Sequence, residues 1–103
     1  MATPEGKVKG QIDRALKTLP RCYKFKPVQS GLGAKTLDYL LCVNGRFVAI
    51  EAKAPGKDYT ELQREHKRQI EATGGIVFLV DGPVSLEYVM RQWLRPPRAL
   101  DMY

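Results

Sequence analysis

Asn44-Gly45 separates two runs of strand-forming residues, 36–43 and 46–53. This dipeptide is the strongest short signal for a two-residue hairpin, because a type I′ turn needs positive φ at both central positions. With these two as the loop, Val43 faces Arg46. Stepping outward in that register brings Asp38 opposite Glu51. Opposed residues of an antiparallel pair point to the same side, with Cβ atoms roughly 4.5–5.5 Å apart. Lys53 is two residues past Glu51 and shares its face. Two carboxylates and an amine therefore converge at one end of the hairpin.

That convergence opposes folding unless it is compensated. Two like charges about 5 Å apart repel by roughly 3 kcal/mol at an effective dielectric of 20. A shared proton or the Lys53 ammonium can offset this. A divalent cation is the most economical solution, since hard oxygen ligands on two strands can hold Mg2+ (or Mn2+) and leave room for water and phosphate. An ion so held polarises a phosphodiester and acidifies water. Lys53 is placed to orient the attacking water or stabilise the transition state. The Ala52 carbonyl, between the two side chains, is a further candidate metal ligand. An isolated Glu-x-Lys is common by chance; its position opposite an acid at the end of a hairpin singles this one out.

The rest of the chain reads as a frame around the hairpin. Thr3-Pro4-Glu5 has the form of a helix start, with Thr3 as N-cap and Pro4 as first helical residue. Val8, Ile12, Ala15, Leu16 and Leu19 then fall on one face, and Pro20 ends the pattern. Residues 22–29 form a first strand with basic residues between aromatics, and Ser30-Gly31-Leu32-Gly33 a loop. Residues 58–73 read as a charged helix stopped by Gly74-Gly75. Residues 76–80 are continuously apolar, as in a buried strand. Asp81-Gly82-Pro83 turns the chain into a last amphipathic helix carrying Leu86, Val89, Met90 and Trp93, which Pro96-Pro97 closes. The order is α-β-β-β-α-β-α, an α/β domain with a mixed sheet flanked by helices. The helix between the third and fourth strands permits a parallel crossover. The 103 residues suffice for one domain, 1–103.

Two more residues can reach the site. Glu5 lies one turn before Val8, near the buried face; it either completes a metal site or is a first-turn acid stabilised by the helix dipole. Thr60-x-x-Gln63 matches a capping box, and the same Gln63 can contact water, metal or phosphate, since this helix start follows closely on the Glu51-Ala52-Lys53 strand. His66, the only histidine, reads as a surface or rim residue. Tyr59 either packs or touches nucleic acid.

Net charge is +6, from 17 basic and 11 acidic residues, which favours a polyanionic partner. Lys7, Lys9, Lys35, Lys57, Arg64 and Lys67 form a candidate basic rim for phosphate contacts, singly no different from solvated surface residues. Cys22 and Cys42 have neither disulfide-framework nor metal-ligand spacing. They read as small buried hydrophobes in a reducing, cytoplasmic setting. No leader-like apolar segment follows Met1, and no run is long enough to span a bilayer.

With these residues assembled, the chain resembles the VRR-NUC family of the PD-(D/E)xK nuclease superfamily. The resemblance runs from Glu5 to about Val80: a helix with Glu5, a glycine-containing loop leading to Asp38, Glu51-Ala52-Lys53, then a helix with Gln63, Gly74-Gly75 and an apolar strand. Leu37 stands where the family usually has proline, and the glycine loop is not the commonest form. The resemblance implies a restriction-endonuclease-like core and Mg2+- or Mn2+-dependent cleavage of DNA. Asp38 and Glu51 would be metal ligands, Lys53 the catalytic lysine, and Glu5 and Gln63 supporting residues. It also implies a homodimer acting on branched DNA such as four-way junctions. A non-catalytic DNA- or protein-binding module on the same frame is the alternative.

Overall fold

A computed structural model describes residues 3–28 and 35–94. Ser30-Gly31-Leu32-Gly33, the Gln29 end of the expected first strand, and Pro96-Pro97 lie outside them. The elements are α1 (Pro4–Leu16), β1 (Cys22–Phe25), β2 (Tyr39–Val43), β3 (Arg46–Ala52), α2 (Glu61–Ala72), β4 (Ile76–Val80) and α3 (Pro83–Val89), followed by one π-helical turn, Met90–Leu94. The described residues thus form a mixed four-stranded sheet with three helices.

The sheet order is β1-β2-β3-β4, antiparallel except for the parallel β3–β4 pair. The hairpin has the expected register, with Val43 opposite Arg46 and Tyr39 opposite Ile50. Asn44 and Gly45 both have positive φ, 51° and 79°, as a type I′ turn requires. The Asn44 side-chain amide also donates to the Leu94 carbonyl at 3.2 Å, tying the hairpin tip to the π turn.

Helix α1 begins as its sequence indicates. Thr3 is the N-cap and accepts from the Gly6 N–H at 3.0 Å, with Pro4 in the first turn. Val8, Ile12 and Leu16 are buried and join Tyr39, Leu41, Val43, Val48, Ile50 and Val80 in the main core. Leu86, Val89, Met90 and Leu94 close that core from the other helix on this face. The Tyr39 hydroxyl lies 3.1 Å from the Lys9 carbonyl and 3.0 Å from Asp13 Oδ1, which pins α1 to β2. Burial, then the Asp13 hydrogen bond and charge, push the Tyr39 pKa well up, so the hydroxyl stays a donor.

The opposite face is covered by α2 only in part. Leu37, Ala49 and Val77 form a small second core, against which Leu40, Tyr59 and Ile70 pack. Tyr59 therefore packs inward. Gly75 is where α2 hands over to β4, and a Cβ there would lie 2.5 Å from Ile70 Cγ2 and 3.0 Å from Phe47 Cδ1; glycine is what lets the helix end sit this close to the sheet. Among the described residues, nothing covers the β1–β2 half of this face beyond α2. Tyr23 and Phe25 alternate outward on β1, and Cys42 and Phe47 lie beside Tyr23 in one row.

Several expectations change. The first strand, expected over 22–29, ends at Phe25, and Cys22, expected buried, is half-buried. The strand expected over 36–43 starts only at Tyr39, because the Asp38 N–H donates to a side chain and not to the ladder. The helix expected over 58–73 starts at Glu61, where the Thr60–Gln63 box takes the first free N–H groups. Strand β4 lies at the sheet edge, and only Val77 and Val80 are buried in it. Cys42, expected buried, is exposed, since it faces the bare half of the sheet.

Candidate active site

The β2–β3 register delivers Asp38 and Glu51 side by side. Asp38 lies one residue before β2, so the backbone ladder has ended there. Side chains continue it. The Asp38 N–H donates to Glu51 Oε1 at 3.1 Å, and the Ala52 N–H donates to Asp38 Oδ2 at 3.0 Å. Each carboxylate thus accepts a backbone donor from the strand carrying the other. Lys53 follows on the same face, its Nζ 3.7 Å from Glu51 Oε2. The Lys53 N–H donates to the Val80 carbonyl at 3.0 Å, which holds this end of β3 against β4.

Gln63 closes the arrangement from α2. Its Oε1 accepts from the Thr60 N–H at 2.9 Å while its own N–H donates to Thr60 Oγ1 at 3.2 Å, a reciprocal capping box. The Gln63 Nε2 remains free of the cap and donates to Glu51 Oε2 at 2.7 Å. One residue therefore starts the helix and orients the acid. The two readings of Gln63 in the sequence are compatible.

Glu51 is the one charged side chain buried among the described residues, at 3% exposure. Burial first, then the neighbouring Asp38 charge, raise its pKa to about 7. The Asp38 N–H and Lys53 work against that rise, and Glu5 adds to it. Desolvation and a neighbouring carboxylate are the two influences that hold a buried acid protonated toward neutrality.

These groups line a cleft of about 350 Å3. Helix α1 supplies Glu5 and Lys9, whose ion pair is 3.5 Å. Lys9 Nζ also lies 3.6 Å from Asp38 Oδ1, so one ammonium bridges two acids. Lys35 and Thr36 form a further wall, and Leu62 and His66 extend the α2 side beyond Gln63. His66 is thus a rim residue, as its sequence context indicates.

Asp38, Glu51, Lys53, Gln63 and Glu5 all meet in this cleft. Ala52 does not line it; the residue is fully buried and gives the site its N–H, donated to Asp38. Among the six rim candidates, Lys9 and Lys35 line the cleft. Lys7 lies beside a separate, mostly apolar cavity with Pro55 and Pro83. Arg64 pairs with Asp58 at 2.7 Å and Lys67 with Glu71 at 2.9 Å. Lys57 is exposed in the β3–α2 turn, where its N–H donates to the Ala54 carbonyl. The bridging of Glu5 and Asp38 by Lys9 escaped the sequence reading. The i,i+4 spacing of Glu5 and Lys9 was its only local trace.

Among the described residues, no three His, Cys, Asp or Glu side chains are grouped closely enough to hold a metal ion by themselves. No helix of the described residues is long and apolar enough to cross a membrane. No protein-family model, curated protein or solved structure matches the chain.

Proposed function

We propose that this protein is a divalent-metal-dependent nuclease that hydrolyses DNA phosphodiester bonds, on a restriction-endonuclease-like core of the VRR-NUC type. The observation that carries this reading is the interlocked Asp38–Glu51 pair with Lys53 Nζ 3.7 Å from Glu51, at the floor of an open cleft. A structural ion pair has no need of two adjacent carboxylates at the floor of a cleft. The donor set fits Mg2+ or Mn2+: two hard anionic oxygens from adjacent chain segments, with Glu51 raised to about 7 by burial and then by the Asp38 charge beside it. Asp38 and Glu51 would hold the ion, with Glu5 at the rim. Bound there, it supplies Lewis acidity toward the phosphate and lowers the pKa of water.

The chain's own residues do the rest. Lys53 orients the attacking water and offsets negative charge that builds on the phosphate. Gln63 fixes the Glu51 carboxylate, and the Ala52 N–H fixes that of Asp38. Lys9 and Lys35 are placed at the cleft to take phosphate oxygens of the bound strand. Branched DNA as substrate and a homodimer as the acting unit belong to the same reading, since paired cuts in a junction need two sites related by a two-fold axis.

One observation favours a second reading, a non-catalytic DNA- or protein-binding module. Lys9 compensates Glu5 and Asp38 from within the chain, so part of the acidic charge is balanced without a metal. A cleavage assay separates the two. Labelled four-way junction, flap, duplex and single-stranded DNA are incubated with protein in Mg2+, Mn2+ or chelator. Metal-dependent cutting that Lys53→Ala abolishes is the expected result. DNA binding without cutting in any metal would replace the nuclease by the binding module.

A further inference from the structure

Along α2, every polar side chain but one has a partner among the described residues. Arg64 lies against Asp58 and Glu61. Arg68 and Gln69 are held by Glu65, and Lys67 by Glu71. Gln63 is engaged by Thr60 and Glu51. His66 is the exception. Among the described residues it has no hydrogen bond or ion pair, although it is half-buried and lines the cleft. Residues four apart share a helix face, and those on either side of His66 are Leu62 and Ile70. Both are apolar, so this face of α2 offers the imidazole no partner of its own.

The rest of the cleft offers none either. The charged groups that face His66 from other elements are Glu5 and Lys9 of α1, Lys35 and Asp38 before β2, and Glu51 and Lys53 of the β3 end. Lys9 lies against Glu5 and Asp38, and Lys53 against Glu51. Lys35 and His66, from two different elements, are thus the cleft groups whose capacity for negative charge no carboxylate takes up. A nucleic-acid strand uses such groups, because phosphate contacts fix its register in a site. His66 forms no metal-holding group with Asp38 and Glu51. It follows Gln63 by one turn, about 4.5 Å along the helix axis, and Gln63 touches Glu51. The imidazole therefore stands beside the acids, in the place of a phosphate neighbouring the one over them.

We propose that His66, as the imidazolium, holds a phosphate oxygen of the bound DNA strand next to the point of cutting, and so sets how the strand lies in the cleft. That a cut falls beside it rests on the nuclease reading; the phosphate contact itself does not. Imidazole is the side chain that ordinarily changes charge between pH 5 and 8, so the contact is made at acid pH and lost as pH rises.

The test compares wild type, His66→Gln and His66→Lys by their binding of a fluorescein-labelled four-way junction in chelator, at pH 6 and pH 8. Glutamine keeps hydrogen bonding without the charge, and lysine keeps a charge at both pH values. Ratios between proteins at one pH cancel the titration of Glu51, which all three share. At pH 6, His66→Gln binds about tenfold more weakly than wild type, while His66→Lys matches wild type. At pH 8, wild type and His66→Gln bind alike, and His66→Lys binds about tenfold more tightly than either. The slope of log affinity against log salt falls by about one in His66→Gln at pH 6. In Mg2+ at pH 6, His66→Gln raises KM and leaves kcat near wild type, as loss of a contact away from the reacting atoms should.

No junction binding by wild type at pH 6, equal binding by His66→Gln there, or a lysine variant that fails to restore it would each overturn the contact. So would equal weakening of His66→Gln at both pH values, which makes His66 a packing residue. A drop in Mn2+ affinity of His66→Gln by calorimetry would overturn it too, by making the imidazole a metal ligand. The two readings fail separately. Binding that follows His66 and pH in a protein that cuts nothing upholds the contact and removes the nuclease. Cutting by a protein in which the His66 variants bind as wild type does the reverse.

Discussion

Asp38 and Glu51 are held together by backbone donors that each takes from the other's strand: Asp38 N–H to Glu51 Oε1 at 3.1 Å, and Ala52 N–H to Asp38 Oδ2 at 3.0 Å. The geometry fixes two acids side by side, and the cost falls on Glu51, whose pKa burial and Asp38 raise from 4.5 to about 7. The sign of the linkage follows. Between these two values the folded protein keeps a proton that the unfolded chain releases. Metal-free stability is therefore full below pH 4.5 and falls as pH rises toward 7, by at most about 3 kcal/mol. Urea denaturation in chelator across this range is expected to show that decline, and Glu51→Gln to flatten it. An unchanged slope in Glu51→Gln would sink this account of the cluster.

Gln63 bridges the start of α2 and Glu51. Gln63→Glu preserves the acceptor that caps the helix but sets a third carboxylate against Glu51. Repulsion on the order of 3 kcal/mol is expected where all are ionised. The variant should melt well below wild type at pH 8 in chelator. The gap should narrow at pH 5, where Glu51 is protonated, and in Mn2+. A melting temperature equal to that of wild type at pH 8 would mean that the Gln63–Glu51 bond is absent in solution.

How much of this was legible in the sequence depended on whether a local signal existed. Asn44-Gly45 fixed the register, and through it the Asp38–Glu51 pairing, because turn chemistry and strand alternation are local rules. Thr3 and Thr60 marked the helix starts for the same reason. The extent of β2 was not legible. Nothing in Thr36-Leu37-Asp38 says that the Asp38 N–H will turn to a side chain thirteen residues away. The exposure of Cys42 was hidden too, since alternation tells which residues share a face and not whether a helix covers it. Lys9 read as one more surface cation because its link to Asp38 arises only when α1 packs across the sheet.

Lys9 itself gives a prediction. Its ammonium lies 3.5 Å from Glu5 and 3.6 Å from Asp38, where a divalent ion would compete with it. Lys9→Met removes the competitor at similar bulk. Part-exposed pairs of this type are worth about 1 kcal/mol, so Mn2+ affinity measured by calorimetry should rise roughly fivefold. A fall in affinity would show that Lys9 helps to assemble the acids and does not compete for them.

The hairpin turn sets the site at a distance. Gly45 has φ 79°, and a Cβ there meets nothing within 4 Å. The penalty for Gly45→Ala is thus conformational and not steric, about 1–2 kcal/mol for an L-residue in the left-handed region. Gly45→Val adds the stiffness of a branched side chain and should cost more. Both changes lie at the far end of the ladder from Asp38, so each should lower the melting temperature while leaving the rate of cutting per folded molecule near wild type. The alternative outcome is informative: if Gly45→Ala keeps most of its stability but loses cutting, the ladder has shifted by a residue. A one-residue slip turns a whole strand to its other face, and the carboxylates would then no longer meet.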